Sequence, residues 1–142
     1  MNILIINGPN INLLGKREPE IYGHMDYVRL MDRVRAFATE KGVSVKIEQS
    51  NHEGMIIDII HAAPGEFDAI VINPGAYTHY SYAIYDAIKA VGLPAIEVHF
   101  TNIHNRDEFR RKSVIAPACV GQIAGLGVRG YELAISYFLG EG

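Results

Sequence analysis

An arginine and a tyrosine five positions apart are the residues of this sequence best suited to acid–base chemistry. Arg17 and Tyr22 lie in segment 7–23, which follows the short apolar run Ile3–Ile6 and holds two prolines, three glycines and three asparagines. That composition is typical of a loop, and loops this long in a compact domain tend to bind ligands or cover sites. A guanidinium near a phenol favours the tyrosinate and lowers the pKa of the tyrosine. We interpret the segment as an active-site loop that carries a general base.

Strand and helix patterns alternate in the elements that must position this loop. We predict five strands, at Ile3–Ile6, Val43–Glu48, Ala69–Ile72, Ala95–His99 and Ala118–Ile123. The first predicted helix lies between an N-cap at Asp26 and a stop at Gly42. The other predicted helices are Met55–Ala63, Ser81–Val91, Asp107–Lys112 and Val128–Phe138. This order predicts an α/β protein with a parallel sheet covered by helices on both faces. The second strand alternates apolar and polar residues and belongs at an edge, whereas the first and third are apolar throughout. The pattern favours a flavodoxin-like three-layer sandwich of strand order 2-1-3-4-5.

Candidate ligand-binding residues follow three of these strands. In a sheet of this order, ligands bind beyond the carboxyl ends of the strands, at the switch point between strands one and three. The loops there supply Asn7, Asn10, Arg17 and Tyr22 after strand one, Asn73, Gly75 and His79 after strand three, and His99, Thr101 and Arg110 after strand four. Each residue alone has an ordinary explanation as a packed ring, a surface charge, a turn former or a buried histidine. Their convergence on one edge of the sheet favours a functional site.

Composition limits the other classes of function. A chain of 142 residues, 49% apolar and 20% charged, fits one globular domain spanning residues 1–142. Its net charge of −3 argues against nucleic acid or an anionic membrane as partner, and no apolar run approaches the ~18 residues of a membrane span. The basic residues Arg106, Arg110, Arg111 and Lys112, taken alone, indicate a solvated helix face.

We predict a cytoplasmic protein, because no signal peptide is evident and Cys119, the only cysteine, fits a reducing compartment as a buried thiol.

Metal and phosphate chemistry fit the sequence poorly. The six histidines show neither HxH nor HExxH spacing, and one cysteine cannot supply a thiolate pair. The stretch Gly125–Gly130 matches GxGxxG by letter, but it follows the last predicted strand and no βαβ unit comes after it. We interpret this stretch as packing at the start of the final helix.

Six stretches of the chain together form a longer pattern. They are segment 7–15 with Arg17-Glu18-Pro19 and Tyr22-Gly23, then Asn51–Gly54, Asn73–His79, Glu97–His99, Asn102–His104 with Phe109-Arg110, and Gly125–Gly127. In this order they resemble the type II 3-dehydroquinate dehydratases over nearly the whole chain. The resemblance implies dehydration of 3-dehydroquinate to 3-dehydroshikimate through an enolate, without cofactor or metal, as the third step of the shikimate pathway to chorismate and aromatic amino acids.

The resemblance also implies roles for individual residues. Tyr22 would remove a proton from C2, with its pKa lowered by Arg17, and Asn10 would hold a water that stabilises the enolate. His99 would protonate the leaving C1 hydroxyl, with Glu97 orienting its ring. The implied substrate-binding residues are Asn73 and the backbone amides at Phe100 and Thr101 for the carboxylate, His79 and Arg110 for ring hydroxyls, and Asp86 from a neighbouring subunit.

The family assembles as trimers grouped into dodecamers, and Asp86 holds the position on the third helix that reaches the neighbour's site. The sequence departs from the family's usual residues nearby, at Tyr80, Tyr82 and Tyr85, and also at Phe100, where an aliphatic residue is more common. The three tyrosines put the detail of the Asp86 contact in question, and they equally suit a role as interface anchors. The backbone contact at Phe100 does not depend on its side chain.

Three alternatives bear on this interpretation. A route through a lysine Schiff base needs an amine neutralised in an apolar pocket, whereas the sequence predicts solvent-facing positions for Lys41, Lys46 and Lys89 and a charged face around Lys112. A non-catalytic flavodoxin-like module, such as a receiver, needs an acidic cluster after the first strand, where this chain has Asn7-Gly8. The same reaction in quinate breakdown is chemically identical, so the residues favour neither pathway.

Overall fold

A five-stranded parallel sheet organises the computed structural model, which describes residues 1–16 and 25–141 of the chain. The strands are β1 (Asn2–Asn7), β2 (Ser44–Gln49), β3 (Ala69–Asn73), β4 (Ala95–His99) and β5 (Gly121–Ala124), in the order β2-β1-β3-β4-β5. All four neighbouring pairs are parallel. The predicted α/β class and strand order are confirmed.

In the described part of the chain, four α-helices cover the sheet: α1 (Tyr27–Glu40), α2 (Glu53–His61), α3 (Tyr82–Val91) and α4 (Arg129–Phe138). Alternate side chains of β1 point to opposite faces, so Ile3 and Ile5 pack with α1 and α4, whereas Leu4 and Ile6 pack with α2 and α3. The start of α1 is fixed by a hydrogen bond from a neighbouring residue. Asp26 caps α1 by accepting a hydrogen bond from the Arg29 amide, 3.0 Å away.

None of the helices formed by the described residues combines the length and the apolar character needed to cross a bilayer.

Burial along the strands agrees with their place in the sheet. Residues 3–7 of β1 and all of β3 are buried, as predicted for central strands covered on both faces. At the edge, β2 leaves Ser44 and Lys46 exposed while Val45 and Ile47 are partly covered. Central strands therefore place their carboxyl ends between two packed helical layers.

The fifth strand begins three residues later than the sequence predicted, at Gly121 instead of Ala118. Residues Ala116–Ala118 form a 3-10 turn with a proline inside it, and the Ser113 hydroxyl accepts hydrogen bonds from the amides of Ile115 and Ala116. The apolar composition suggested a strand, but this cap and the proline give a turn. The predicted helical segment Asp107–Lys112 is likewise only a 3-10 turn over Glu108–Arg110.

The loops after β1 and β3 lie directly on one another at the switch point of the sheet. The Gly8 amide donates to the Asn73 carbonyl at 2.7 Å. A β-carbon at position 8 would lie 2.5 Å from the Pro74 carbonyl oxygen, so only glycine permits this approach. The contact brings the residues that follow Gly8 beside those that follow Asn73.

The glycine-rich stretch before α4 packs against the end of β4. The Gly125 amide donates to the His99 carbonyl at 3.3 Å, and the Gly127 amide donates to the Phe100 carbonyl at 3.0 Å. These bonds agree with the packing role predicted for Gly125–Gly130. They also fix the main chain at His99 and Phe100, at the end of β4.

Candidate active site

A cleft of about 590 Å³ opens beyond the carboxyl ends of β1, β3 and β4. Seven of the ten predicted site residues line it: Asn10, Asn73, His79, His99, Phe100, Thr101 and Arg110. Asp86 is exposed on α3 and is not among the lining residues of this chain. Arg17 and Tyr22 lie outside the described residues. The topology thus brings together side chains from three separate loops, as expected at a switch point.

His99, the last residue of β4, is held by a buried carboxylate two residues earlier on the same strand. The His99 Nε2 atom lies 2.5 Å from Oε2 of Glu97, and Glu97 is fully buried. Residues i and i+2 of a strand share a face, which places both side chains on the same side of β4.

Three further side chains donate hydrogen bonds to the Glu97 carboxylate. The Thr78 hydroxyl reaches Oε2 at 2.5 Å, the Ser113 hydroxyl reaches Oε1 at 2.7 Å, and the Gln122 amide reaches Oε2 at 3.1 Å. Burial alone raises the pKa of Glu97, but the bonds from His99, Thr78 and Ser113 outweigh it and the pKa is lowered. Glu97 is therefore an ionised carboxylate at neutral pH.

The ionised partner decides which nitrogen of His99 carries a proton. A carboxylate only accepts, so Nε2 is protonated and donates to Glu97. None of the hydrogen bonds among residues 1–16 and 25–141 involves Nδ1 of His99, which leaves this atom for a ligand in the cleft. A second proton on Nδ1 gives an imidazolium whose charge is balanced by Glu97, and such a group can act as a general acid.

His79 presents a neutral ring to the cleft. Its Nδ1 atom donates to the Lys112 carbonyl at 2.8 Å. Burial lowers the pKa of His79 below its ordinary 6.5, and the positive charges of Arg106 and Arg110 act in the same direction. With Nδ1–H committed to a carbonyl, Nε2 is a hydrogen-bond acceptor suited to a ligand hydroxyl.

Asn10 adopts a left-handed backbone conformation with φ of 68°, the one positive φ among the described residues that are not glycine. Its amide donates to Oδ1 of Asn51 at 3.1 Å, and the Gln49 side chain donates to the same oxygen at 3.1 Å. The Tyr77 hydroxyl in turn donates to the Asn51 carbonyl at 2.8 Å. Asn51 thus ties the β1 loop to the β2 loop and holds an unusual conformation at the cleft.

Two arginines give the outer part of the cleft a positive charge. Arg106 donates from Nη2 to the Thr101 hydroxyl, and the Arg110 guanidinium lies 5.0 Å from the centre of the Phe109 ring. Both arginines line the cleft. Arg106 is therefore part of the site wall, whereas its sequence context indicated only a solvated face. The arrangement suits an anionic ligand.

Neither a metal-binding cluster nor an activated thiol is found in the part of the chain that the structure describes. No group of three or more His, Cys, Asp or Glu residues among 1–16 and 25–141 could hold a metal ion. Burial, with the nearby Glu97 charge, raises the pKa of Cys119 to about 12. That thiol is protonated at neutral pH and is not an activated nucleophile.

Sequence reasoning missed the residues that support the site from behind. Thr78, Ser113 and Gln122 converge on Glu97, and Asn51 holds Asn10. Thr78 and Asn51 lie within two motifs shared with the family, Asn73–His79 and Asn51–Gly54. Membership of these motifs is the one sequence signal that pointed to them. Nothing in the local sequence marked Ser113 or Gln122.

Comparison with known proteins identifies the family. The family model for class II dehydroquinases matches residues 1–139. A 3-dehydroquinate dehydratase of Caldicellulosiruptor bescii is 61% identical over 134 residues, covering 94% of this chain and 92% of the relative. A 3-dehydroquinate dehydratase of Clostridium acetobutylicum is 57% identical over 136 residues, covering 96% and 94%. The crystal structure of a type II dehydroquinase from Butyrivibrio crossotus superposes with a TM-score of 0.95 at 51% identity, covering 98% and 97%. With the sequence, the fold and the family model in agreement over nearly its whole length, this chain belongs to the type II dehydroquinases.

Proposed function

We propose that this protein removes water from 3-dehydroquinate to give 3-dehydroshikimate, using side chains of its own and no metal or organic cofactor. The observation that carries the proposal is His99, held at the edge of the cleft by the buried, ionised Glu97. Dehydration next to a carbonyl needs an acid for the leaving hydroxyl, a base for the proton, and a group that stabilises the enolate. The chain offers a candidate for each.

His99 serves as the general acid. In its doubly protonated form, Nε2–H binds Glu97 and Nδ1–H donates to the C1 hydroxyl of the substrate. As the C1–O bond breaks, the Nδ1 proton goes to the leaving oxygen and water departs. Glu97 balances the positive charge of the ring before transfer and keeps the neutral ring in place afterwards.

Tyr22 serves as the base, in its deprotonated form, and Arg17 favours that form. The phenolate takes the proton from C2, and the C–H electron pair moves to form an enolate on the C3 oxygen. A water bound by Asn10 donates to that oxygen. When the enolate collapses, the electrons form the C1–C2 double bond and expel the hydroxyl that His99 protonates.

The substrate is an anion with several hydroxyl groups, and the cleft matches both features. We assign its carboxylate to the Asn73 side chain and the backbone amides of Phe100 and Thr101. The acceptor nitrogen of His79 and the guanidinium of Arg110 bind ring hydroxyls. The neutral state of His79 suits this role, because a charged ring has no lone pair to offer.

We further propose that the protein works in the cytoplasm, in the third step of the shikimate pathway, as trimers grouped into a dodecamer. Asp86, exposed on α3 and away from the cleft of its own chain, would then complete a neighbour's site. Size measurement by light scattering checks the assembly, and Asp86→Ala would raise KM if the contact forms.

The test is an absorbance assay for the conjugated enone product, run with purified protein in the presence of a chelator. We expect full turnover with EDTA present, and loss of activity on chelation would contradict the cofactor-free reaction. Borohydride added with the substrate should leave the protein mass unchanged, whereas a stable adduct would indicate a lysine imine.

Tyr22→Phe removes only the phenol oxygen, so we expect nearly complete loss of kcat with an unchanged circular dichroism spectrum. Tyr137→Phe, at an exposed tyrosine of α4, is the matched control and should keep the activity of the unmodified protein. A Tyr22→Phe protein with a normal kcat would contradict the assignment of the base.

A further inference from the structure

Three buried polar side chains form a hydrogen-bonded chain beneath the cleft. Asn7 ends β1, Asn73 ends β3, and Tyr131 comes from the first turn of α4. Asn7 and Tyr131 are fully buried, and Asn73 is 3% exposed. The Tyr131 hydroxyl lies 2.6 Å from Oδ1 of Asn7 and 3.1 Å from Nδ2 of Asn73.

The direction of each bond in this chain is determined. A carboxamide oxygen only accepts, so the single proton of the Tyr131 hydroxyl goes to Oδ1 of Asn7. The orientation of Asn7 is set by Met31, whose sulfur has no proton to donate and accepts from Nδ2 of Asn7 at 3.4 Å. The same Nδ2 atom donates to the Tyr27 hydroxyl at 3.2 Å. Towards Asn73, the Tyr131 oxygen can therefore only accept, and Asn73 must present its NH₂ group to it.

The other end of the Asn73 amide is also committed. Its Oδ1 atom accepts a hydrogen bond from the Gly75 amide at 3.2 Å. One Nδ2 proton goes to Tyr131, and no hydrogen bond among the described residues uses the second. Asn73 lines the cleft, so the group that it can offer to a ligand is an N–H donor.

We propose that Tyr131 is a positioning residue for substrate binding: its hydroxyl acts together with the Gly75 amide to fix the carboxamide of Asn73, so that an N–H, not the carbonyl oxygen, serves the substrate carboxylate. This inference rests on the proposed function. A flipped amide would turn an oxygen lone pair towards an anion, so the hydroxyl acts on affinity for the anionic group and not on the proton transfers at His99. The Tyr131 ring, 5.5 Å from that of Phe100, has a separate packing role.

Tyr131→Phe tests the proposal, because it keeps the ring and removes the hydroxyl. We expect KM for 3-dehydroquinate to rise about 3- to 10-fold, with kcat changed by less than about 2-fold, the pattern of lost ground-state binding. Tyr137→Phe, at an exposed tyrosine on the same helix, is the matched control and should leave both constants unchanged. A Tyr131→Phe protein with lower thermal stability and a normal KM would overturn the proposal and leave Tyr131 with packing alone.

A double-mutant cycle with Asn73→Ala separates positioning from a general weakening of the site. Asn73→Ala removes the amide that Tyr131 orients, so adding Tyr131→Phe to it should raise KM no further. Independent, multiplying effects of the two changes on KM would overturn the proposal.

A second variant approaches the same amide from the other end of the chain. Asn7→Ala frees the Tyr131 proton to turn towards Asn73, and we expect KM to rise about 2- to 5-fold. Both single variants are assayed below their melting temperatures, and a normal KM in the folded protein overturns the proposal. An unmodified protein without turnover would overturn the proposed function and this inference together, whereas normal turnover with unchanged KM in the variants would overturn the inference alone.

Discussion

The two sides of the cleft use buried polar groups in different ways. On the β4 side, four donors surround one ionised carboxylate: Thr78, Ser113, Gln122 and His99 itself all bind Glu97, which holds the His99 ring in place. On the β1–β3 side the buried groups are neutral: two carboxamides and a hydroxyl form a single directed chain. Within the described residues, no buried side-chain nitrogen or oxygen lacks a partner on either side.

The difference reflects what each kind of group can do. A buried charge is costly unless several donors compensate it, and it then stabilises a second charge that appears beside it. A neutral chain stabilises no new charge, but because each bond has one allowed direction, it fixes the orientation of the group at its end. The charged side therefore suits proton transfer and the neutral side suits recognition. Substitutions on the two sides should separate into effects on kcat and effects on KM.

The largest effect is expected for His99→Ala. Loss of a general acid lowers kcat about 10²- to 10⁴-fold, while KM stays close to its normal value. Steady-state kinetics with the enone assay measure both, with His61→Ala, at an exposed histidine of α2, as the control. A rise in KM with normal kcat would place His99 in binding and remove the contrast between the two sides.

Glu97→Gln should follow, with kcat lowered about 10- to 100-fold, the equivalent of one lost charge-assisted hydrogen bond. The new NH₂ group also meets donors from Thr78, Ser113 and Gln122, so the free energy of unfolding should fall by about 1–3 kcal/mol. Glu66→Gln, at an exposed glutamate, is the control for both measurements. A Glu97→Gln protein with normal kcat would mean that the charge holds the fold and not the acid.

A smaller effect is expected for Asn51→Ala, which removes the acceptor for the Asn10 amide. Asn10 then relaxes from its left-handed conformation, and kcat should fall about 2- to 10-fold. Asn51→Asp keeps a carboxyl oxygen at the same place and should restore most of the activity. Equal losses in the two variants would show that the hydrogen bond to Asn10 is not what matters.

The mildest effect concerns acid stability. The pKa of Glu97 in the folded protein is lower than its ordinary value of 4.5. Its contribution to stability is therefore complete above about pH 4.5 and declines as the pH falls towards the lowered value. Urea unfolding between pH 3 and 6 should show a steeper acid loss in the unmodified protein than in Glu97→Gln. Parallel curves would mean that other carboxyl groups dominate the acid response.

Much of this arrangement follows from the sequence, because hydrophobic period and turn residues mark strands and helices directly. The strand Ala95–His99 was predicted with the bounds that the structure has, and the cap at Asp26 and the edge position of β2 were also predicted correctly. The switch-point rule then placed six of the site residues in one cleft, whereas Phe100 was predicted only from the family resemblance.

The support behind the site could not be predicted in the same way. Gln122 meets Glu97 only because the two residues are partners in the register of β4 and β5, and periodicity does not specify register between strands. Ser113 reaches Glu97 from a segment to which the sequence assigned neither a helix nor a strand, between the predicted helix Asp107–Lys112 and the predicted strand Ala118–Ile123. Tyr131 belongs to an apolar helical stripe, where its ring predicts burial but its hydroxyl gives no sign of its partners.

The close contact between the main chains of Gly8 and Pro74 affects attempts to broaden the substrate range. Because main chain meets main chain there, any residue larger than glycine at position 8 forces the loops after β1 and β3 apart. Laboratory evolution towards bulkier ring compounds should therefore accumulate its changes on the outer rim, in segment 101–110, and leave Gly8 unchanged.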